Sequence, residues 1–561
     1  MLLSGADILV KTLIEQGCDT VFGYPGGQIL NVYDSLYTHQ NEIHHILTAH
    51  EQGAAHAADG YARTTGKVGV VLSTSGPGAT NLVTGIATAY LDSIPMVAIC
   101  GNVPTTQIGT DSFQEIDITG VTLPITKHNY FVGSVENLAD TIREAFSLAQ
   151  SGRPGPVLID VPKDVQIAKC AYTPQPPAEK QEAFAAKYIR IEEAASYINE
   201  AKRPYVYFGG GLMTANAQEE MLLLADRIDA PLGCSLMGLS AIPTDHPRFL
   251  GMQGMHGHYA SSMAMHHADL ILSLGVRFND RVTGNRQKFA TGAKIIHIDI
   301  DGSELCKTVN AVCGLRGDVK LTLQKLLPLL RESRKPEWQA TVASFRQEEE
   351  QILDHREGLT PRKAILTLNK HLGENTAVCT DVGQHQMWAA QSLCFQRPRR
   401  FVSSGGLGTM GFGFGAAIGA AFGTGERSVL VTGDGSFGMC LNELATAVTY
   451  NVPVVVLIMN NGVLGMVRQW QTLFYNKHYS NTVLNRKTDF AAFARSFGAE
   501  GEAVNTPEEL DAALTRAFGH EGPYIIDCKI DKDEFVLPML PPGGSMDDII
   551  TKCRTKCWAL C

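Results

Sequence analysis

The residues best suited to chemistry are Gly433-Asp434-Gly435-Ser436 and, 27 positions after Asp434, Asn461 of the pair Asn460-Asn461. Asp434 ends one apolar run, Ser428–Thr432, and Asn461 ends the next, Val452–Met459. A strand–helix–strand unit of that length makes the two strands neighbours in a parallel sheet, with both loops at the same edge. One carboxylate and one amide oxygen suit a hard cation such as Mg²⁺, which completes its shell with phosphate, water and a backbone carbonyl. Gly435 and Ser436 let the backbone approach a diphosphate, and a helix start adds a favourable dipole. Gly433–Gly438 also satisfies the dinucleotide pattern GxGxxG. An Asp inside that turn would repel a pyrophosphate unless a cation lay between them, and the acidic residue expected about 20 positions on is missing. A plain structural turn is the other alternative; the double Asn favours the cation site.

A second carboxylate, Glu51, follows a short apolar strand and opens a helix of small residues, Gln52-Gly-Ala-Ala-His-Ala-Ala-Asp-Gly-Tyr-Ala-Arg63. Alanine and glycine around it would desolvate the carboxyl and favour its protonated form. The alternative is a glutamate facing a helix dipole. Three further stretches follow predicted strands: Arg277-Phe-Asn279-Asp280-Arg281-Val-Thr-Gly284, His297-Ile-Asp299-Ile300-Asp301 and Gly317-Asp318-Val319. Aspartates there can meet ribose or adenine groups, or merely cap turns. Trp470 lies shortly beyond the Asn pair, where core or interface packing is the simplest role.

The elements that must position these residues are α/β throughout. Val68–Gly78, the Pro95-led run to Asn102 and Gly155–Asp160 recur in order as Ser428–Gly435, the Pro453-led run to Asn460 and Gly522–Asp527. Two domains of one topology are expected, with a third between them built on Tyr205–Gly211, Leu270–Gly275 and Lys294–Asp299. Each is a mainly parallel sheet with flanking helices. The boundaries read as residues 1–170, 187–335 and 359–545, with a tail at 546–561. Residues 171–186 and 331–358 read as linkers or surface helices.

With 561 residues, three domains are the natural number. A net charge of −10 argues against a nucleic-acid partner. The longest apolar run, Pro453–Met459, is far short of a membrane span, and no signal peptide opens the chain. The cytoplasm is the expected compartment. The thirteen cysteines are scattered as reduced thiols would be, except for Cys553, Cys557 and Cys561. That trio reads as a frayed helix end, with a metal or redox role as the alternative.

GDGS followed by NN at this distance resembles the signature of thiamine-diphosphate-dependent enzymes, and the chain along nearly its whole length resembles the large catalytic subunit of acetohydroxyacid (acetolactate) synthases. The resemblance implies that Asp434 and Asn461 bind Mg²⁺ by side chain and Val463 by its carbonyl. It puts Gly383, Gln384, His385, Gly408, Thr409, Met410, Gly433, Gly435, Ser436, Leu464, Gly465 and Met466 along thiamine diphosphate, with Met410 holding its two rings bent. Glu51 becomes the catalytic carboxylate beside the aminopyrimidine ring. The family's FAD site would comprise Arg153, Gly210, Gly211, Leu236, Met237, Met255, His256, Gly257, Gly275, Arg277, Asp280, Arg281, Asp299, Ile300, Asp318 and Val319. The family pattern has Asp where this chain has Asn279. Phe113, Gln114, Lys163, Arg281, Met466 and Trp470 would border the substrates, Gln114 and Lys163 as catalytic groups, and Trp470 would favour 2-oxobutanoate over pyruvate as acceptor.

The activity implied is decarboxylation of pyruvate and transfer of its two-carbon unit to pyruvate or 2-oxobutanoate, in valine, leucine and isoleucine synthesis. A homodimer or homotetramer with sites across the subunit interface is implied, with a small regulatory subunit as a further partner. A catabolic acetolactate synthase without flavin, a pyruvate oxidase, and a non-catalytic binder with relic sites are the rivals.

Overall fold

A computed structural model describes residues 1–178 and 182–552. The cysteines 553, 557 and 561 lie outside the described residues.

Three six-stranded parallel sheets organise the molecule. The first contains Thr20–Gly23, His44–Leu47, Gly69–Ser73, Met96–Asn102, His128–Phe131 and Pro156–Pro162. The third contains Ala377–Thr380, Phe401–Ser403, Ser428–Gly433, Val454–Asn460, Glu500–Val504 and Tyr524–Lys529. Numbered along the chain within each sheet, both have the spatial order 2-1-3-4-6-5. The three segment pairs matched in the sequence are strands three, four and six of each sheet. The middle sheet, Pro204–Phe208, Leu232–Cys234, Phe249–Met252, Leu270–Leu274, Lys294–Asp299 and Cys313–Arg316, has the order 3-2-1-4-5-6. A small antiparallel pair, Leu2–Ser4 with Lys169–Ala171, ties the first strand of the chain to the end of the first domain.

Helices cover both faces, so central strands are apolar on both sides: Val454–Met459 is buried throughout. The middle and third domains share one contiguous apolar core, in which Leu239 and Ile242 join Phe395 and Phe401. The first and third domains meet through helices Glu51–Thr65 and Gly413–Thr424. Their backbones approach so closely that a Cβ on Gly60 would lie 2.1 Å from the Ala416 carbonyl oxygen, and one on Gly419 would lie 1.8 Å from that of Ala57. Alanine and glycine dominate both helices because nothing larger fits that contact.

The charged stretch after residue 331 contains helix Pro336–Ile352. It packs on the middle sheet through Trp338, Val342 and Phe345, and the Trp338 indole donates to the Pro204 carbonyl at 3.0 Å. Among the described residues the cysteines are unpaired, and no helix is long and apolar enough to cross a membrane.

Candidate active site

Strands Ser428–Gly433 and Val454–Asn460 are hydrogen-bonded neighbours, with Gly433 beside Met459, so Asp434 and Asn461 leave the sheet at one edge. Asp434 is buried, and burial lifts its carboxyl to about 6, although backbone N–H groups of residues 434, 461 and 462 work in the opposite direction. The Asn461 amide oxygen accepts from Val463 N at 3.2 Å, and its nitrogen donates to Gln384 Oε1 at 3.3 Å. Gly462 turns the loop with φ 67°. The bridge to Val483 uses Leu464 N and Leu484 N with the carbonyls of Thr482 and Gly462, so it leaves the Val463 carbonyl unconsumed. Among the described residues no group of three or more His, Cys, Asp or Glu could hold a metal. Any cation here therefore takes mixed oxygens, and a desolvated carboxylate beside an amide and a carbonyl fits Mg²⁺.

The surrounding backbone forms a cradle. A Cβ on Gly433 would meet His385 Nδ1 at 2.9 Å, one on Gly435 would meet Leu464 Cδ2 at 2.8 Å, and one on Gly465 would meet Gln384 Oε1 at 2.0 Å. His385 is buried with Nε2 lacking a hydrogen-bond partner, and burial pushes its pKa down to about 3, so it is neutral. Gln384 donates to Gln469 Oε1 at 2.9 Å and to the Glu534 carbonyl at 2.7 Å, which locks the helix start under the cation loop. Ser436 Oγ donates to the Val382 carbonyl at 3.1 Å. Gly408 and Gly411 both have positive φ, which swings the turn carrying Met410 into the cavity wall.

In the middle domain, strands one and four are adjacent, so the strand order reverses between them. Ligands bind outside the carboxyl edge at such a point. Gly209–Gly211 follow strand one and Gly275 follows strand four; a Cβ on Gly211 would lie 2.7 Å from Gly275 Cα. Arg277, half-buried, makes no ion pair among the described residues, and burial lowers its pKa. A guanidinium without a directly paired carboxylate at a glycine-rich edge fits a dinucleotide diphosphate. Asp299 closes strand five, raised to about 6 by burial. Asp318 caps helix Val319–Leu326 through Leu321 N at 2.9 Å, so its turn-capping role is real. Asn279 caps the next turn through Val282 N at 3.2 Å, work an aspartate would also do.

All of this borders one cavity of about 1910 Å³. A single drug-sized ligand typically needs about 300–1,000 Å³, so the space suits two large cofactors. Its wall includes Gly383, Gln384, His385, Gly408, Met410, Gly433–Ser436, Asn461 and Val463–Met466 at one end. At the other it includes Arg153, Gly210, Gly211, Leu236, Met237, Met255, His256, Gly275, Arg277, Asp280, Arg281, Asp299, Ile300, Asp318 and Val319. Trp470 lies between them, with the Arg281 guanidinium 5.8 Å above its ring and Phe474 edge-on at 5.6 Å. Gly257 sits inside a turn, its N–H on the Gly254 carbonyl, and does not line the cavity.

Thr409, buried against Thr88, also lies behind the wall, and four further residues expected at the site lie off this cavity: Glu51, Phe113, Gln114 and Lys163. Glu51 is half-buried rather than desolvated and accepts from Asn81 Nδ2 at 2.8 Å. Phe113 is 83% exposed at a loop tip. Gln114, φ 63°, packs on Gly76, and Lys163 donates to the Gly27 carbonyl at 3.1 Å. They belong to the carboxyl edge of the first sheet.

Sequence reasoning misses the groups that join the domains. Glu443 is buried and accepts from Ala49 N at 3.2 Å, holding the approach to Glu51. Asp92, also buried, accepts from Gly405 N and Gly406 N at 3.0 and 2.7 Å. Each contact spans more than 300 residues, and no local pattern marks either end.

Family models match in series: "Thiamine pyrophosphate enzyme, N-terminal TPP binding domain" over residues 3–121, the central domain over 191–326 and the C-terminal TPP binding domain over 381–528. The chain is 44% identical over 571 residues to the probable acetolactate synthase large subunit of Methanocaldococcus jannaschii, covering 99% of this chain and 96% of that one. It is 44% identical over 559 residues to the acetolactate synthase isozyme 2 large subunit of Escherichia coli K12, covering 98% and 100%. With the isozyme 3 large subunit of that organism the identity is 42% over 573 residues, covering 98% of each.

Proposed function

The chain belongs to the thiamine pyrophosphate enzymes, as an acetolactate synthase large subunit, and from that premise we propose its substrates, cofactors and assembly. It is a transferase that makes 2-acetolactate from two pyruvates and 2-aceto-2-hydroxybutanoate from pyruvate and 2-oxobutanoate. It serves branched-chain amino acid synthesis in the cytoplasm, with Mg²⁺ and FAD beside thiamine diphosphate. The observation that supports this most is the single cavity bordered by the Asp434–Asn461 loop at one end and by the glycine-rich carboxyl edge of the middle sheet at the other.

When bound, thiamine diphosphate supplies the electron sink that decarboxylation of a 2-oxo acid requires. Asp434, Asn461 and the Val463 carbonyl would hold Mg²⁺ against its diphosphate, with the N–H groups of Gly435 and Ser436 beside it. Met410, in the cavity wall, would lie against its rings. Arg281 and Trp470 would border the second substrate, the guanidinium offering a charge-assisted hydrogen bond to a carboxylate. FAD, held by Arg277, Arg153 and the glycines of strands one and four, would be structural, since the reaction moves no net electrons.

Glu51 would hold a proton toward the aminopyrimidine ring. Because it lies off its own chain's cavity, it would do so in a partner's site, with Phe113, Gln114 and Lys163 from the same edge. The partner's surface would then complete the desolvation that the single chain lacks.

The test is product analysis with pyruvate plus 2-oxobutanoate, omitting thiamine diphosphate, Mg²⁺ and FAD in turn. Both acetohydroxy acids are expected, the 2-oxobutanoate product in excess, with all three cofactors required. Acetolactate alone without need of FAD would establish the catabolic type, and oxygen uptake would establish an oxidase.

A further inference from the structure

Helix Val83–Asp92 of the first domain ends at the cavity wall, where Ser93 has a left-handed φ of 60°. Its last residues touch both other domains. The Leu91 carbonyl accepts from the Arg277 guanidinium and Ser93 Oγ accepts from Arg153 Nε at 2.8 Å, both from the dinucleotide end. Between them, the buried Asp92 carboxylate takes the N–H groups of Gly405 and Gly406 and, at 2.9 Å, Arg63 Nη2. Gly405 and Gly406 open the turn that carries Met410 at the thiamine end. Arg63 also donates to the Ser403 carbonyl at 2.8 Å, and Thr88, one turn earlier on the helix, pairs with the Thr409 hydroxyl at 2.8 Å.

We propose that Leu91–Ser93 couples the two cofactor positions, with Asp92 as the positioning residue, so that FAD binding tightens thiamine diphosphate binding. The inference rests on the flavin reading of the middle domain given above. Arg277 spends one N–H on the Leu91 carbonyl and Arg153 one on Ser93, so the remaining donors of each can take a flavin diphosphate while these contacts are kept. A diphosphate that fixes the two guanidinium groups thereby also fixes Leu91 and Ser93. Asp92, between Leu91 and Ser93, takes the N–H groups that open the Met410 turn, so ordering one end lowers the cost of ordering the other. Linkage makes the effect reciprocal. It also gives a redox-idle flavin a physical task in this chain.

The experiment is calorimetric titration of thiamine diphosphate with Mg²⁺ into cofactor-free enzyme, with and without saturating FAD. The quantity read is the ratio of the two dissociation constants. A ratio of about five or more is expected for the unaltered chain, the lower end of ordinary couplings. Asp92→Asn offers one acceptor for two glycine N–H groups and turns an amide toward Arg63, so the ratio should fall close to one. Arg63 keeps Asp59 as a partner there, at 3.2 Å from Nη2. Should that variant not fold, Ser93→Gly decides, because glycine accepts the backbone conformation while removing the hydroxymethyl group that Arg153 holds; its ratio should lie between the two. An unaltered ratio in either folded variant overturns the proposal, as does a ratio of one in the parent chain with FAD bound. Failure of the parent chain to bind FAD at all would instead overturn the flavin reading beneath it.

Discussion

Asn102 and Asp160 of the first domain repeat Asn460 and Asp527 of the third, side chain to side chain: the amide donates to the carboxylate at 2.7 Å in one and 2.8 Å in the other. The duplication therefore survives at the level of a single hydrogen bond, but the environments differ. Asp527 also takes Lys529 Nζ at 2.6 Å, whereas Asp160 Oδ1 is buried without a partner and burial lifts that carboxyl to about 7. Between its ordinary value of 3.8 and about 7 the folded chain keeps a proton that the unfolded chain has released. Stability is thus full below the lower value and is lost as pH rises through the upper one. Asp160→Asn keeps the acceptor for Asn102 and removes the ionisation. Thermal and denaturant unfolding at pH 5.5 and 8 should show the parent losing stability between them and the variant gaining about 2–4 kcal/mol over it at pH 8. An equal pH dependence in both would refute the assignment of the unpartnered oxygen.

Among the elements, the pair Glu51–Thr65 and Gly413–Thr424 has the most to do with the site, because it joins the two related domains. The first helix begins at Glu51 and the second runs away from the Met410 turn, so their contact sets where the two edges stand relative to each other. Gly419 lies against the Ala57 carbonyl with no room for a methyl group, and neither atom belongs to a flexible side chain. Gly419→Ala must push one backbone away, at a cost of about 3 kcal/mol or more, the upper end of overpacking penalties. The expected reading is a lower Tm together with loss of turnover. Gly425→Ala, at an exposed helix end with φ 69° and no atom near the added methyl, should cost only about 1 kcal/mol from backbone strain. Equal effects of the two changes would show that the helix contact is not tight.

At the scale of the molecule, the residues of the proposed site fall in two separate places within one chain. Asp434 and Asn461 border the large cavity, and Glu51 does not line it. A symmetric dimer closes such an arrangement, because each surface meets the other's complement across the two-fold axis. Chains inactivated at Glu51→Gln and at Asp434→Ala should therefore rescue each other when mixed during assembly. Random pairing gives half mixed dimers, each with one intact site of two, so recovery of about a quarter of the parent activity is expected. No recovery, with mixed dimers demonstrated, would place both groups in one chain's site. In such a dimer Phe113, 83% exposed in the single chain, would also be covered.

The sequence alone determined the strands, because a parallel strand buried on both faces must be an unbroken apolar run, as Val454–Met459 is. It determined as well that Asp434 and Asn461 leave the sheet at one edge, since they end adjacent strands and spacing along the chain translates directly into a shared edge. The twofold repeat was legible for the same reason, down to its Asn and Asp. Tertiary structure alone decided how the domains meet. Asp92 with Gly405, and Glu443 with Ala49, are partners more than 300 residues apart, and a carboxylate taking backbone N–H groups leaves no mark in the sequence of its partner. Nor could spacing show that Glu51 and Asp434 stand apart in one chain, because that depends on how the first domain packs on the third through two helices whose glycines allow the backbones to touch.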